Sequence, residues 1–446
     1  MYELPLESKE TLPPANLLNK RNIHITMKKS AKKEALSRYF KLRINRSTFA
    51  ILSIFIFVYL SWLFAFPLFG PIIAGYFDGF RALSIDKGKW VLLFLASMVA
   101  STLASGYFVD KTSKRIPFIL TSTLIVSGIT FAFVWLNFSD SFLFAILLGL
   151  AAGVSPVALG AYFADHSLPE DRGRIMGISV GLTIPMAQLF LISEPFEIGS
   201  TADVKILTIG SWLLITFLAL AFRPQEKTQE IPSSKGQRGL APRQVILYAI
   251  PIFLFYLVAG ILLSIVFPTI QDNVSTGVFY LIWAIPFIIG AIFAGIQLDL
   301  RGRKFPTIIG LAITGVSLAV FGIVGLSVGY VVIIPLAIGY SFVAISSLII
   351  WADLAPAKSR GKMYGAGFGL IAAAQMVGLI IAGVSFGSVS TSQINAYMLF
   401  SSVALFLCIP PLLLAEEALP TELIEKRKLL EYLDGVKNKF VRKKQV

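Results

Sequence analysis

The sequence predicts an all-α integral membrane protein with twelve transmembrane helices in two pseudo-symmetric six-helix bundles, and three observations lead there. Of 446 residues, 56% are hydrophobic and 14% charged, which leaves too little polar surface to cover a water-soluble protein of this length. Twelve apolar stretches approach or exceed the roughly 20 residues a helix needs to cross the hydrocarbon. One polar pattern, Gly-x3-Asp-x3-basic-basic-x-Pro, follows the second stretch and returns after the eighth, about 189 residues later.

The first six stretches, near 48–76, 89–109, 117–137, 141–164, 173–193 and 203–222, make an N-terminal bundle over 48–222. The next six, near 244–270, 275–298, 305–325, 328–352, 361–386 and 393–415, make a C-terminal bundle over 244–415. Helix is the state that satisfies backbone N–H and C=O groups within one segment, as lipid demands. A spanning barrel would show segments of about ten residues alternating in polarity, and no stretch alternates. Residues 223–243, with Pro224, Pro232, Ser233, Ser234, Gly236 and Gly239, read as a flexible cytoplasmic linker between the halves. Residues 1–47 form a basic tail. Residues 416–446 form a charged tail in which Leu423, Leu430, Leu433, Val436 and Phe440 fall at the spacing of an amphipathic helix.

The net charge of +14 is first a topology signal. Of the 39 lysines and arginines, only Arg81, Lys87, Lys89 and Lys205 fall in loops on the side away from the termini. Both chain ends are therefore expected in the cytoplasm, with the protein in the cell membrane. The bases are spread over many loops, so a nucleic-acid partner is not expected. Cys408 is the single cysteine, which rules out a disulfide framework within the chain, and His24 and His166 are too few for a histidine-rich metal site. No metal or cofactor is expected. The N-terminus shows no removable signal peptide, and Met27, followed by Lys28, Lys29, Lys32 and Lys33, is an alternative start to Met1.

The repeated pattern comprises Gly106, Asp110, Lys114, Arg115 and Pro117 in one half, and Gly295, Asp299, Arg303, Lys304 and Pro306 in the other. A second doublet pairs Asp165, Arg172, Gly173, Gly177 and Gly181 with Asp353, Arg360, Gly361, Gly365 and Gly369. Glycines at every fourth position share one helix face and let a neighbouring backbone come close. Twelve spans in two such halves resemble the major facilitator superfamily, over about 48–415. The family pattern has a further glycine, present here as Gly302 in the second copy but replaced by Ser113 in the first. The resemblance implies that Asp110 caps the eleventh span near Gly361 and, by pseudo-symmetry, that Asp299 faces the fifth near Gly173. It implies also that Arg115 or Lys114 pairs with Asp165, and Arg303 with Asp353, as a gate latch.

The same resemblance implies two halves rocking about a midplane site lined by the first, fourth, seventh and tenth spans. Trp62, Tyr256 and Tyr340 fall near that depth, as do Tyr59, Ser155 and Ser341. Gln188 and Gln375 hold nearly matching places in the fifth and eleventh spans, where buried amides want partners. No acidic or basic residue falls at the middle of any stretch, so the expected cargo is a small neutral, hydrophobic or amphipathic solute. The expected partners are that solute and membrane lipid, with a monomeric chain. The competing reading is a membrane sensor or scaffold of the same fold that moves nothing. An enzyme is not expected: the sequence holds no His-Glu-x-x-His, no Gly-x-Ser-x-Gly and no pair of midplane aspartates.

Overall fold

Ten of the twelve expected spans fall in the part of the chain that the computed structural model describes, residues 87–112, 114–135, 141–192, 242–262, 276–325, 329–382 and 390–419, where every regular element is helical. The second and third spans are Lys87–Thr112 and Ile116–Trp135, and the fifth is Arg172–Ile192. The seventh to eleventh are Pro242–Ile261, Thr276–Arg301, Lys304–Val324, Gly329–Leu354 and Arg360–Ile381. Eight helical segments among the described residues are long and apolar enough to cross a membrane. The expected first and sixth spans lie outside the described residues, as do nearly all of the linker and most of both tails. All described residues belong to one unit, Ala50–Val446.

Two spans are interrupted where the sequence reading drew one helix. The fourth is Ser141–Ala152 followed by Val154–His166, with the break at Gly153. A Cβ there would meet the Met98 carbonyl at 2.9 Å, so the fourth span lies against the second at backbone distance. The twelfth is Thr391–Leu407 followed by Ile409–Leu414. Pro410 and Pro411 lack the N–H groups that would continue the hydrogen-bond ladder. Its start is set by a capping box, in which the Gln393 N–H donates to Ser390 Oγ while the Ser390 N–H donates to Gln393 Oε1.

The burial pattern is that of a protein dissolved in lipid. Leu103, Tyr107 and Phe108 of the second span, Ile289 and Phe293 of the eighth, and Phe400, Val403 and Leu407 of the twelfth are exposed. Such apolar surface needs hydrocarbon or a partner to cover it. Inside, Phe94, Phe163, Phe255 and Phe287 are fully buried. Several hydroxyls in the described helices bond locally or across a seam. Ser179 Oγ donates to the Ile175 carbonyl, Ser402 Oγ to the Gly315 carbonyl at 2.7 Å, and Thr307 and Ser346 share a bond of 2.5 Å.

The two halves meet most extensively where the second span packs on the eleventh and the fifth on the eighth. Both seams are glycine against glycine. A Cβ on Gly106 would meet the Gly361 carbonyl at 2.8 Å, and one on Gly295 would meet Gly177 Cα at 3.1 Å. Main chain cannot step aside as a flexible side chain can. Gly295→Val is therefore expected to destabilise the purified protein by about 1–3 kcal/mol, read as a lower thermal midpoint in detergent. Gly128→Val, at an exposed site where a Cβ would meet nothing within 4 Å, should leave the midpoint almost unmoved.

Candidate functional site

The four loop and helix-end motifs come together as two clusters of charge, one at each glycine seam. In the first, Asp110 at the end of the second span accepts from the N–H groups of Gly361 and Lys362, at 2.7 and 2.8 Å. These are free donors in the first turn of the eleventh span, where the helix dipole also favours an anion. Asp165, at the end of the fourth span, is held from both halves. Arg115 Nε donates to it at 2.9 Å, and Arg360 Nη1 from the other half at 2.7 Å. Arg115 also reaches the Val109 carbonyl and lies 3.6 Å from Asp110.

The second cluster repeats the plan on the opposite seam. Asp299 accepts from the N–H groups of Gly173 and Arg174, at 2.7 and 2.8 Å. Asp353 is bridged by Arg303 of its own half at 2.6 Å and by Arg172 of the other at 2.5 Å. Arg303 further donates to Asp299 at 3.0 Å and to the Leu298 and Pro169 carbonyls, both at 2.7 Å. Burial works against its charge, but Asp353 and Asp299 outweigh burial and hold the guanidinium above its ordinary pKa.

The copies differ in depth. Asp353 and Arg303 have no exposed side-chain surface and Arg172 keeps 1%, whereas Asp165 keeps 26%. Water therefore reaches Asp165 in the first cluster and is excluded from Asp353 in the second. Two further residues reinforce only the deep one. Arg174 Nε donates to Asp299 at 3.2 Å, and Glu417 accepts from the N–H of Arg303 at 2.6 Å and of Lys304 at 3.2 Å. Gly302 stands beside them with φ +89°, a conformation open to glycine, and a Cβ there would strike the Glu417 carboxylate.

Two of the basic positions named from the sequence have other roles. Lys114 is exposed and makes no ion pair, so Arg115, which is buried, is the partner of Asp165. Lys304 Nζ donates to the Leu413 and Ala415 carbonyls and so ties down the end of the twelfth span. Arg174 matches Lys362 in the second doublet, whereas Glu417 carries no repeat signal and its role shows only in the folded chain.

Of the residues expected to touch cargo, Tyr256 and Tyr340 share one aromatic cluster. Tyr256 is buried and shares a hydrogen bond of 2.9 Å with Ser347 of the tenth span. Tyr340 sits among Phe255, Trp283 and Phe287, with ring centroids 4.9, 5.6 and 6.4 Å away. Phe255 also meets Tyr256 edge to face, so seventh, eighth and tenth spans share one aromatic cluster. Gln375 is buried on the eleventh span with its backbone pressed against Gly260 of the seventh. Trp62 and the side chain of Gln188 lie outside the described residues.

The difference in depth ranks the two bridging carboxylates. Asp353→Asn leaves two buried arginines facing a neutral amide and should cost about 3–5 kcal/mol. Asp165→Asn, partly wet, should cost about 1 kcal/mol or less. Thermal unfolding of the two purified variants side by side measures the order, and an equal loss would contradict it.

A Major Facilitator Superfamily sequence model matches residues 248–445. No curated protein matches the chain. Among solved structures, the chain is similar to the proton:xylose symporter XylE bound to 6-bromo-6-deoxy-D-glucose, at 15% identity and TM-score 0.64, covering 82% of this chain and 95% of that one. It is similar also to the human organic anion transporter MFSD10, at 17% identity and TM-score 0.62, covering 82% of this chain and 99% of that one. At these identities the likeness is one of fold. The C-terminal half thus carries the sequence pattern of the major facilitator superfamily, and most of this integral membrane protein shares the fold of transporters of that superfamily.

Proposed function

We propose that the chain transports a small neutral or amphipathic solute by alternating access, with both termini cytoplasmic in the cell membrane and the paired clusters acting as the cytoplasmic gate. The observation that carries the reading is the pair of cross-half bridges, Arg360 to Asp165 and Arg172 to Asp353, both at helix ends on one side of the molecule. Rocking the halves apart on that side breaks both at once, and closing restores them. With both bridges made, this structure corresponds to a state closed on that side.

The nature of the cargo rests on the interior. Among the described residues, acidic and basic side chains occur only toward the helix ends, as with Asp110, Asp165, Asp299 and Asp353. A charged solute would meet no fixed counter-charge at mid-depth and would lose hydration at a cost of several kcal/mol or more. The aromatic cluster of Phe255, Tyr256, Trp283, Phe287 and Tyr340 instead offers flat apolar faces with polar tips. XylE takes a sugar-like ligand and MFSD10 is an organic anion transporter, which leaves a neutral polar cargo and an anionic one as the competing outcomes.

The test is uptake by liposomes holding the purified full chain, challenged with panels of lipophilic, sugar-like and anionic compounds, with and without a proton gradient. Saturable entry of a neutral or amphipathic compound is expected, reduced at least about tenfold by Asp299→Asn with protein yield nearly intact. Gln188→Ala should shift the half-saturating concentration of that compound and leave the melting midpoint in place. Specific binding without entry would make the protein a sensor, and entry of anions alone would overturn the solute class.

A further inference from the structure

Beside the two charge clusters, an aromatic ring of one half meets a glycine of the other. Tyr364, one turn into the eleventh span, is 1% exposed, and its hydroxyl donates to the Leu348 carbonyl of the tenth span at 3.1 Å. Its ring crosses the boundary and lies over Gly160 of the fourth span. A Cβ on Gly160 would have three carbons of that ring within 2.7 Å. The ring is also stacked on Phe368, and Trp351 fills the space beside Gly367 on the same helix. The eleventh span is thus keyed into its surroundings on two sides.

The repeat shows that this fit is not inherited from the duplication. Under the offset that relates Asp165 to Asp353, the counterpart of Gly160 is Leu348, and the counterpart of Tyr364 is Met176. One seam combines the smallest residue with one of the largest. The counterpart positions hold two residues of middle size, both buried. Side-chain volume has been moved from the fourth span to the eleventh, which turns a flat contact into a knob and a notch.

We infer that Tyr364 is the bolt of the gate: seated in the notch at Gly160 it closes the path between the halves, and the gate opens only when the ring leaves that notch. The ion bridges beside it hold the halves at the distance the seating requires. Opening therefore needs more than separating charges, because a planar ring must withdraw from a slot with no side chain at its floor. The inference rests on the alternating-access reading for its purpose, but its geometry can be tested without any cargo.

The experiment places spin labels on cysteines at Lys111 and Lys358, both exposed and on opposite halves, in the full chain with Cys408→Ala, reconstituted in liposomes. Distance distributions come from pulsed electron paramagnetic resonance. The protein with native Gly160 and Tyr364 should show mainly the short distance of the closed gate. Gly160→Ala, which fills the notch, and Tyr364→Ala, which removes the bolt, should each raise the ratio of wide to narrow populations by about tenfold. Gly160→Ala combined with Tyr364→Leu should return it toward the original, since the smaller side chain leaves room for the added methyl. An unmoved distribution in Tyr364→Ala, or no recovery in the double variant, overturns the bolt. A mere packing role would lower melting midpoints without moving the distances. Moved distances with no compound entering the liposomes would sink the transport reading alone, and entry with unmoved distances would sink the bolt alone.

Discussion

A carboxylate side chain with no exposed surface, Asp353, gripped by one arginine from each half, is the interaction on which this arrangement of the halves depends. Burying such a group carries a desolvation cost of several kcal/mol, and mutual attraction offsets it only when geometry and hydrogen bonds are nearly complete. Here they are: Arg303 is engaged at Nε and both terminal nitrogens, and Arg172 also reaches Ser167 and the Ala164 carbonyl. The cluster need not add net stability to matter. What it enforces is register, since a slip of one helical turn would leave two guanidiniums and two carboxylates dry and unpaired.

That constraint would have no effect if the helices could not come close. An N–H to carboxylate bond from Gly173 to Asp299 needs the fifth and eighth spans at backbone contact, which Gly173, Gly177 and Gly295 allow. The same holds for Gly106, Gly361 and Gly365 under Asp110. Glycine seam and capping carboxylate form one device, used twice. In lipid, where burying apolar surface gains little between helices, close packing and hydrogen bonds carry the association.

The duplication leaves the two devices unequal. The seam whose loop retains Gly302 is the dry one and has Glu417 docked beside the turn. The seam with Ser113 in that place is bridged through a carboxylate that water reaches. The bolt at Tyr364 breaks the symmetry in the same region. The deep cluster, the wet carboxylate and the one-sided knob are therefore three unlike contacts between the halves.

Much of this was legible in the chain before folding. Apolar runs, scattered bases and a loop pattern written twice state that twelve helices cross a membrane in two like halves, because lipid accepts little else and because positive charge stays on one side. The doubled aspartates and arginines marked which residues matter. Which of them meet was decided by tertiary structure: Arg172 finds Asp353 and Arg360 finds Asp165 across 181 and 195 residues, and Arg115, not Lys114, turns inward. Glu417 and the notch at Gly160 had no sequence signal at all. The physical reason is that hydropathy and repeats record what each segment requires of its solvent, whereas partners are chosen by helix rotation, tilt and the residue-sized gaps that close packing leaves.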